Sequence, residues 1–319
     1  MFSSLGEFLS GRYECRRLLI SSGGRREGYN VSALLWDNIR NLKHVLWADT
    51  VVVHVASAPA VLLLSAGRLF GKRVVLFQWD IYPTTIAGVR YKDKPVHRIL
   101  YRAERVCLAL ASLTVLPSDD FLAYAKGKKT VVLPLWPQSS PRLSPVQPKP
   151  LKGGTLDIAF AGQVNPLRGL AECVAHLAVI NPHPINLHVF SSDRLPVDFA
   201  VPPSIQIQQH GSLPREELQL RLTEMHFGLV SLHPLMDQPG FPSKTFDYVT
   251  AGLPVLYFGR PLPAYSSLLE EFGIGIDITN RMKLDLSIAY QKISSGFEAG
   301  RTKYIAYTNL DWEKIAGIC

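Results

Sequence analysis

The chain has 319 residues, 47% of them hydrophobic, and a formal net charge of +8. That is enough for two domains of ordinary size with real cores. No run reaches the roughly 20 apolar residues of a membrane span, and the start, MFSSLGEFLSGRYECRR, lacks the apolar core of a signal peptide. The four cysteines, Cys15, Cys107, Cys173 and Cys319, are widely scattered. No pair has metal-ligand or redox spacing, which speaks against a disulfide framework and for a reducing compartment.

Charge is unevenly shared. Residues 1–145 carry 20 Lys and Arg against 10 Asp and Glu, whereas residues 146–319 carry 14 against 16. The positive field of the first half implies an anionic partner: membrane lipid, nucleic acid or a phosphorylated acceptor. No aromatic and basic residues interleave in the manner of nucleic-acid recognition, so nucleic acid is set aside.

Taken in chain order, the first half alternates apolar runs with helical patterns. Thr50 to Val55 predicts a strand, Pro59 to Phe70 a helix, and Val74 to Gln78 a second strand. Pro95 to Ala111 predicts a long helix, Leu113 to Leu116 a third strand and Thr130 to Leu133 a short fourth. The long helix carries His97, Arg98, Arg102 and Arg105 beside Ile99, Leu100, Val106 and Leu108, with Arg90, Lys92 and Lys94 before it. It is a candidate membrane-surface patch or a solvated basic face. Six prolines between Leu133 and Gly154 predict a stiff linker.

Beyond the linker the pattern repeats. Strands are predicted at Leu156 to Ala161, Asn186 to Phe190, Ile205 to Gln208, Phe227 to Leu232, Pro254 to Phe258 and Ile274 to Ile278. Helices are predicted from Pro166 to about Ile180 and from Arg215 to Leu222. Strand and helix alternation in both halves predicts two parallel sheets, each with its ligand edge at the carboxyl ends of the strands.

Three segments carry chemistry. In Phe241-Pro242-Ser243-Lys244-Thr245-Phe246-Asp247-Tyr248, Ser243 is the expected N-cap, and Gly252 followed by Pro254 the expected stop. A helix start with a lysine favours phosphate, and Asp247 one turn further lies on the same face. In Ala161-Gly162-Gln163-Val164-Asn165-Pro166-Leu167-Arg168-Gly169, a strand ends in a glycine that lets a ligand approach, and Arg168 brings a charge. Asn165 is the expected cap of the following helix. In Gln78-Trp79-Asp80-Ile81, a strand of the first half ends in a carboxylate able to accept a hydroxyl proton. The alternative for Asp80 is to cap the turn that follows.

The segment from Pro242 to Val255 resembles the donor-site signature of the GT-B glycosyltransferases, the group-1 type that uses nucleotide sugars. The resemblance covers roughly residues 50–280 and is strongest over 156–258. It implies two Rossmann-like domains facing a cleft: residues 1–145 on the acceptor side, 151–300 on the donor side, and a closing segment 301–319 that crosses back to the first domain. It implies transfer of a sugar, with retention, from a nucleoside diphosphate sugar to a glycan or lipid-linked glycan. Gly162, Gln163, Arg168, Ser243, Lys244 and Asp247 would bind the donor, and Asp80 would face the acceptor hydroxyl or the transferred sugar. Ser243, Lys244 and Arg168 would balance the leaving diphosphate and Asp247 would hold the ribose. No metal or other cofactor is expected, because protein cations and helix ends carry that charge. The location implied is cytoplasmic, peripheral at the inner face of a membrane.

Several positions depart from the family pattern. Gln163 stands where relatives carry Arg, and Trp79 takes a position that is often His. The residue eight before Asp247, often Glu, is Pro239, with Asp237 a poor substitute. His210-Gly211-Ser212-Leu213-Pro214 matches a loop that lies near the nucleobase in relatives. At the amino end the expected apolar strand and Gly-Gly loop are replaced by a helix-like stretch, Leu5 to Leu9. A first strand follows only near Leu18 to Ser21, before Gly23-Gly24. A first domain lacking its first strand would leave a second reading open, a non-catalytic nucleotide- or glycan-binding partner subunit. A GT-B epimerase would want more acid and base residues than the cleft segments supply.

Overall fold

The computed structural model describes residues 10–11, 13–15, 31–54, 58–79, 81, 85–90, 95–125, 129–133, 148–151 and 154–318. The expected strand near Leu18 to Ser21, Gly23-Gly24, Asp80 and most of the proline-rich linker lie outside these. The chain divides into two compact units. The first comprises Met1–Thr84, Lys92–Ser140 and Thr308–Cys319, and the second Thr85–Tyr91 and Pro141–Tyr307.

In the first unit, helix α1 (Val31–Trp47) leads into strand β1 (Thr50–His54), helix α2 (Ala58–Leu69) and strand β2 (Arg73–Phe77). A short hairpin, β3 (Thr85–Ile86) and β4 (Val89–Arg90), is counted with the second unit. Helix α3 (Pro95–Leu110) and strands β5 (Leu113–Leu116) and β6 (Thr130–Val132) complete the first sheet. Its order is β1-β2-β5-β6, and every pair is parallel. Val74 to Phe77 are wholly buried, as expected of a parallel strand covered on both faces. Leu64 of α2 and Cys107 and Leu108 of α3 pack with Val74 and Leu76.

The second unit has strands β7 (Leu156–Ala161), β8 (Ile185–Phe190), β9 (Ile205–Gln209), β10 (Phe227–Ser231), β11 (Val255–Phe258) and β12 (Gly275–Asp277). Its helices are α4 (Leu170–Ile180), α5 (Arg215–Leu222), α6 (Lys244–Thr250), α7 (Pro263–Glu271) and α8 (Leu286–Ser294), with α9 (Phe297–Ile318) belonging to it as far as Tyr307 and to the first unit from Thr308. The sheet runs β12-β11-β10-β7-β8-β9, all parallel. Strands added after β7 go one way and those from β10 the other, so the order reverses between β7 and β10. This is the doubly wound arrangement, whose ligand crevice lies at the carboxyl ends of the two strands at the reversal. One core cluster joins Tyr248, Val249, Leu253, Tyr265, Phe297 and Tyr304. The other joins Leu156, Ile158, Leu170, Val174, Leu177 and Tyr290.

Two expected helix starts are corrected. Pro166–Arg168 form a separate 3-10 turn, and Gly169 breaks the path at φ 56 before α4 begins at Leu170. Asn165 makes no side-chain cap bond. Ser243 likewise makes none; its backbone is already helical, at φ −58 and ψ −24, because Thr245 N–H donates to Pro242 O at 3.0 Å. The helix stop is as the sequence reads. Gly252 sits at φ 86, its N–H bonds Val249 O, and Leu253 N–H bonds Tyr248 O, the paired closure of a left-handed glycine cap.

At the amino edge of the same sheet, Asp157 gathers Lys149 at 2.6 Å, Asn186 at 2.9 Å and His188 at 3.4 Å. His226, 2% exposed, accepts the Asp157 N–H on Nδ1. Burial holds the His226 pKa below its ordinary value, and Lys149 adds to the effect. Burial pushes the Asp157 carboxyl up, but the bond from Lys149 and those from Asn186 and His188 outweigh it, and its pKa lies low. Burial and His188 also lower His210. As pH falls below about 6.5, the unfolded chain takes protons that His226 and His210 resist, so stability drops through that window. The Asp157 contribution is lost only at more acid pH. The expected result is a lower urea midpoint at pH 5.5 than at 7.5, with a smaller drop in a His226→Gln chain; equal drops would remove His226 as a cause.

Candidate functional site

The candidate residues of the second unit collect at the carboxyl edge of β7 and β10, at the reversal of strand order. β7 ends at Ala161, and Gly162 N–H donates to Phe190 O at 3.1 Å. Among the described residues, a Cβ built on Gly162 would meet only a Phe160 ring carbon, at 3.9 Å. Gln163 is exposed, and its amide oxygen accepts from Asn165 at 3.3 Å. Gly169 turns left-handed against the next loop: a Cβ there would lie 2.7 Å from the His233 Cα. His233 N–H donates to Leu167 O at 2.9 Å, which ties the two loops together by their backbones.

Helix α6 is held under this edge by its buried face. Tyr248 is fully buried and its ring covers Gly228, where a Cβ would sit 2.2 Å from the ring. Its hydroxyl accepts the Ala161 N–H at 2.8 Å and donates to Leu229 O at 3.2 Å, joining α6 to both central strands. Burial raises the Tyr248 pKa; the Asp247 charge pushes the same way and the Arg168 charge opposes it. The hydroxyl is thus an uncharged strut between β7 and β10. Thr245 shares a hydroxyl hydrogen bond with Tyr265 of α7. The far end of the helix is held by Arg301 of α9, 1% exposed, whose guanidinium donates to Val249 O at 2.9 Å and Thr250 O at 3.0 Å.

The exposed face of α6 carries the charges. Lys244 Nζ lies 3.1 Å from Asp247 Oδ2, and Arg215 Nη2 lies 3.9 Å from Asp247 Oδ1. The three side chains are 44%, 28% and 55% exposed in the order Lys244, Asp247, Arg215. Ser243 is exposed with its hydroxyl uncommitted to a cap. Arg215 was not among the expected site residues, although a signal existed. A cation as the first residue of α5 opposes the helix dipole, which costs stability unless an anion lies opposite. Here the anion is Asp247.

Two positions that depart from the family pattern are already engaged. Asp237 does not stand in for a sugar-facing acid: Thr85 and Gly88 occupy its carboxylate. Trp79 is 7% exposed, its ring edge-on to Phe77 at 5.9 Å, so it packs in the core of its own unit. Gln78 is wholly buried and donates its amide to Glu104. Among the described residues, no group of three or more His, Cys, Asp or Glu is placed to hold a metal ion.

No protein-family model matches the chain. A probable glycosyltransferase of Pseudomonas aeruginosa, WbjE, is 24% identical over 249 residues, covering 70% of this chain and 61% of the length of that relative. Among solved structures, HepE of Anabaena, crystallised in complex with UDP, matches 88% of this chain and 82% of its own, at 14% identity and a TM-score of 0.56. Sucrose-phosphate synthase of Thermosynechococcus elongatus matches 99% and 90%, at 15% identity and a TM-score of 0.62. On the strand order of its second sheet, on its parallel first sheet and on these likenesses, the chain has the GT-B fold of the glycosyltransferases.

Proposed function

We propose that the chain binds a nucleoside diphosphate sugar at the carboxyl edge of β7 and β10. It would transfer the sugar to a glycan or lipid-linked glycan during synthesis of a polysaccharide or glycoconjugate. What supports this is that Gly162 and Arg168 follow β7 while Lys244 and Asp247 follow β10, the two strands at the reversal of order. A diphosphate set against the start of α6 would meet the Lys244 ammonium and the exposed Ser243 hydroxyl, the Ser243 and Thr245 N–H groups being taken by Phe241 O and Pro242 O. The Lys244–Asp247 pair is an exposed ion pair, worth about 0–1 kcal/mol. Lys244 can therefore turn to a diphosphate at small cost and leave Asp247 to the ribose hydroxyls, with Arg215 still beside the carboxylate. Arg168 would add charge to the leaving diphosphate, the role that in other enzymes of phosphate chemistry is filled by fixed cations. Asp80 would face the reacting sugar or the acceptor, and retention of configuration is expected by resemblance. No metal is needed in this scheme.

The acceptor side would use the basic first half. Arg102 and Arg105 stand exposed on α3, with Arg105 also 5.7 Å from the Tyr124 ring centroid. No described helix is long and apolar enough to cross a membrane. An anionic lipid surface on the cytoplasmic side is the partner this charge fits, with attraction of about 1 kcal/mol per basic residue near the surface.

Thermal unfolding against a panel of UDP, GDP, ADP and dTDP tests the donor site. One base is expected to raise the midpoint saturably, since a ligand at 100 times its Kd adds about 2.7 kcal/mol to the folded state. Failure of all four to shift it sinks the reading. With the preferred base known, release of diphosphate from its sugar nucleotides decides activity. Binding without release would leave a nucleotide-binding partner subunit.

A further inference from the structure

The chain leaves its first unit after Thr84 and returns to it at Lys92. In between it makes the antiparallel hairpin of β3 and β4, with Thr85 opposite Arg90 and Ile86 opposite Val89. The turn has Ala87 at φ 50 and Gly88 at φ 76, two left-handed residues as a tight hairpin turn of the primed type requires. Ala87 is the one non-glycine residue at positive φ among those described. Alanine gains nothing locally from that conformation, so something outside the turn holds it there.

What holds it is the loop His233–Gly240, which leads from β10 into α6. Ile86 bridges Met236 in antiparallel fashion. Ala87 N–H donates to Leu235 O at 2.8 Å, and Asp237 N–H donates to Thr85 O at 3.0 Å. The Thr85 hydroxyl donates to Asp237 Oδ2 at 2.5 Å, and Gly88 N–H reaches the same oxygen at 2.8 Å. Gln238 completes the set: its amide oxygen accepts the Thr85 N–H at 2.9 Å and its amide nitrogen donates to the Thr85 hydroxyl at 3.0 Å. Thr85 and Met236 are buried at 9% and 7% exposure, while Ala87, Gly88 and Val89 are exposed. The bonds from Thr85 and Gly88 hold the Asp237 carboxyl below its ordinary pKa, with Arg260 contributing. Arg260 also donates to Met236 O.

The geometry points to this hairpin as a clamp that fixes the loop His233–Gly240 and so aims Ser243 and Lys244, with Thr85 and Asp237 as its positioning residues. The loop has two anchors. At its start, His233 is bonded to Leu167 and packed on Gly169, so it moves with the Arg168 turn. At its centre, residues 235–238 are held by the hairpin. Ser243 and Lys244 follow within a few residues, and Ser243 has no cap bond of its own to fix it. Freed at the centre, the loop would lose the restraint that sets where α6 begins. The aiming role rests on the reading of α6 as the donor site; the clamp itself does not.

The test compares the unaltered chain with Thr85→Val, which keeps the shape and removes the hydroxyl, and Thr85→Ser, which restores it. Amide hydrogen exchange over residues 233–240, unfolding midpoint, affinity for the nucleoside diphosphate found by the thermal screen, and donor KM and kcat are measured on each. In Thr85→Val the loop is expected to exchange at least about tenfold faster, since the bonds of the hydroxyl to Asp237 and from Gln238 are both lost. Nucleotide affinity should fall, donor KM should rise more than kcat drops, and Thr85→Ser should return each toward the original. Unchanged exchange in Thr85→Val overturns the clamp, whatever the nucleotide result. Faster exchange with unchanged affinity and KM overturns the aiming role. Absence of nucleotide binding by the unaltered chain overturns the donor-site reading and the aiming role with it, and the exchange comparison still decides the clamp.

Discussion

A Lys244→Ala chain is expected to bind its nucleoside diphosphate about 10- to 100-fold more weakly, with an unfolding midpoint close to that of the unaltered chain. Hydrogen bonds to charged groups contribute about 1.5–3 kcal/mol, and each 1.4 kcal/mol is about a factor of ten in affinity. The lysine is 44% exposed and its ion-pair partner Asp247 is one turn away on the same helix. Removing it therefore costs the fold at most about 1 kcal/mol, the ceiling for exposed pairs. A loss of binding without a loss of stability separates a phosphate contact from a structural one. Lys244→Arg should recover part of the affinity, since charge is kept while the point-like ammonium is replaced by a planar fork. The difference between the unaltered chain and Lys244→Ala should narrow as salt rises, because the site is open to solvent and screened. Calorimetry at two salt concentrations checks both; equal affinities at low salt would remove Lys244 from the site.

Much of the fold is legible in the sequence because parallel strands are buried on both faces. Val74 to Phe77 and Val255 to Phe258 are continuous apolar runs, and all are wholly or nearly wholly buried. The glycine at 252 marks its stop because only a left-handed residue closes the helix there. Other features depend on partners far away in the chain. The hairpin has strands of two residues, and its turn is built on Ala87-Gly88, with no asparagine or aspartate to announce it. Its bonding partners lie about 150 positions downstream. Ser243 has the composition of a cap, yet the carbonyl of Pro242 already takes the N–H of Thr245 and draws the serine into the helix. Asp237 stands close to a position where an acid is expected, but only the position of Thr85 shows that its carboxylate is taken. The hydroxyl of Tyr248 between β7 and β10 is visible only once the strand order is known.

Replacing Arg301 by methionine should cost the second unit about 1–3 kcal/mol, the usual cost of leaving a buried carbonyl without its hydrogen bond. Among the described residues Arg301 is the largest of the fully buried side chains. Its guanidinium spends three nitrogens on two targets. Nε and Nη2 donate to Val249 O and Thr250 O at the carboxyl end of α6, and Nη1 meets both oxygens of Glu298 at 2.9 and 3.0 Å. Val249 O keeps its bond from Gly252 when the arginine is gone. Thr250 O is left as an orphan carbonyl at a helix end, where the dipole is negative and a cation is favourable. Methionine fills much of the volume, so the loss reports the polar contacts more than a cavity. Arg301→Lys should be intermediate, because one ammonium cannot reach both carbonyls and the carboxylate with the planar geometry of the fork. Since Arg301 fixes one end of α6 and Lys244 stands at the other, the methionine chain should also bind nucleotide more weakly, in contrast to Lys244→Ala, where binding falls alone. Urea unfolding of the three chains checks the first part and calorimetry the second. A loss below about 1 kcal/mol in Arg301→Met would place this arginine among surface-like ion pairs and would mean that Tyr248 and Thr245 suffice to hold the helix.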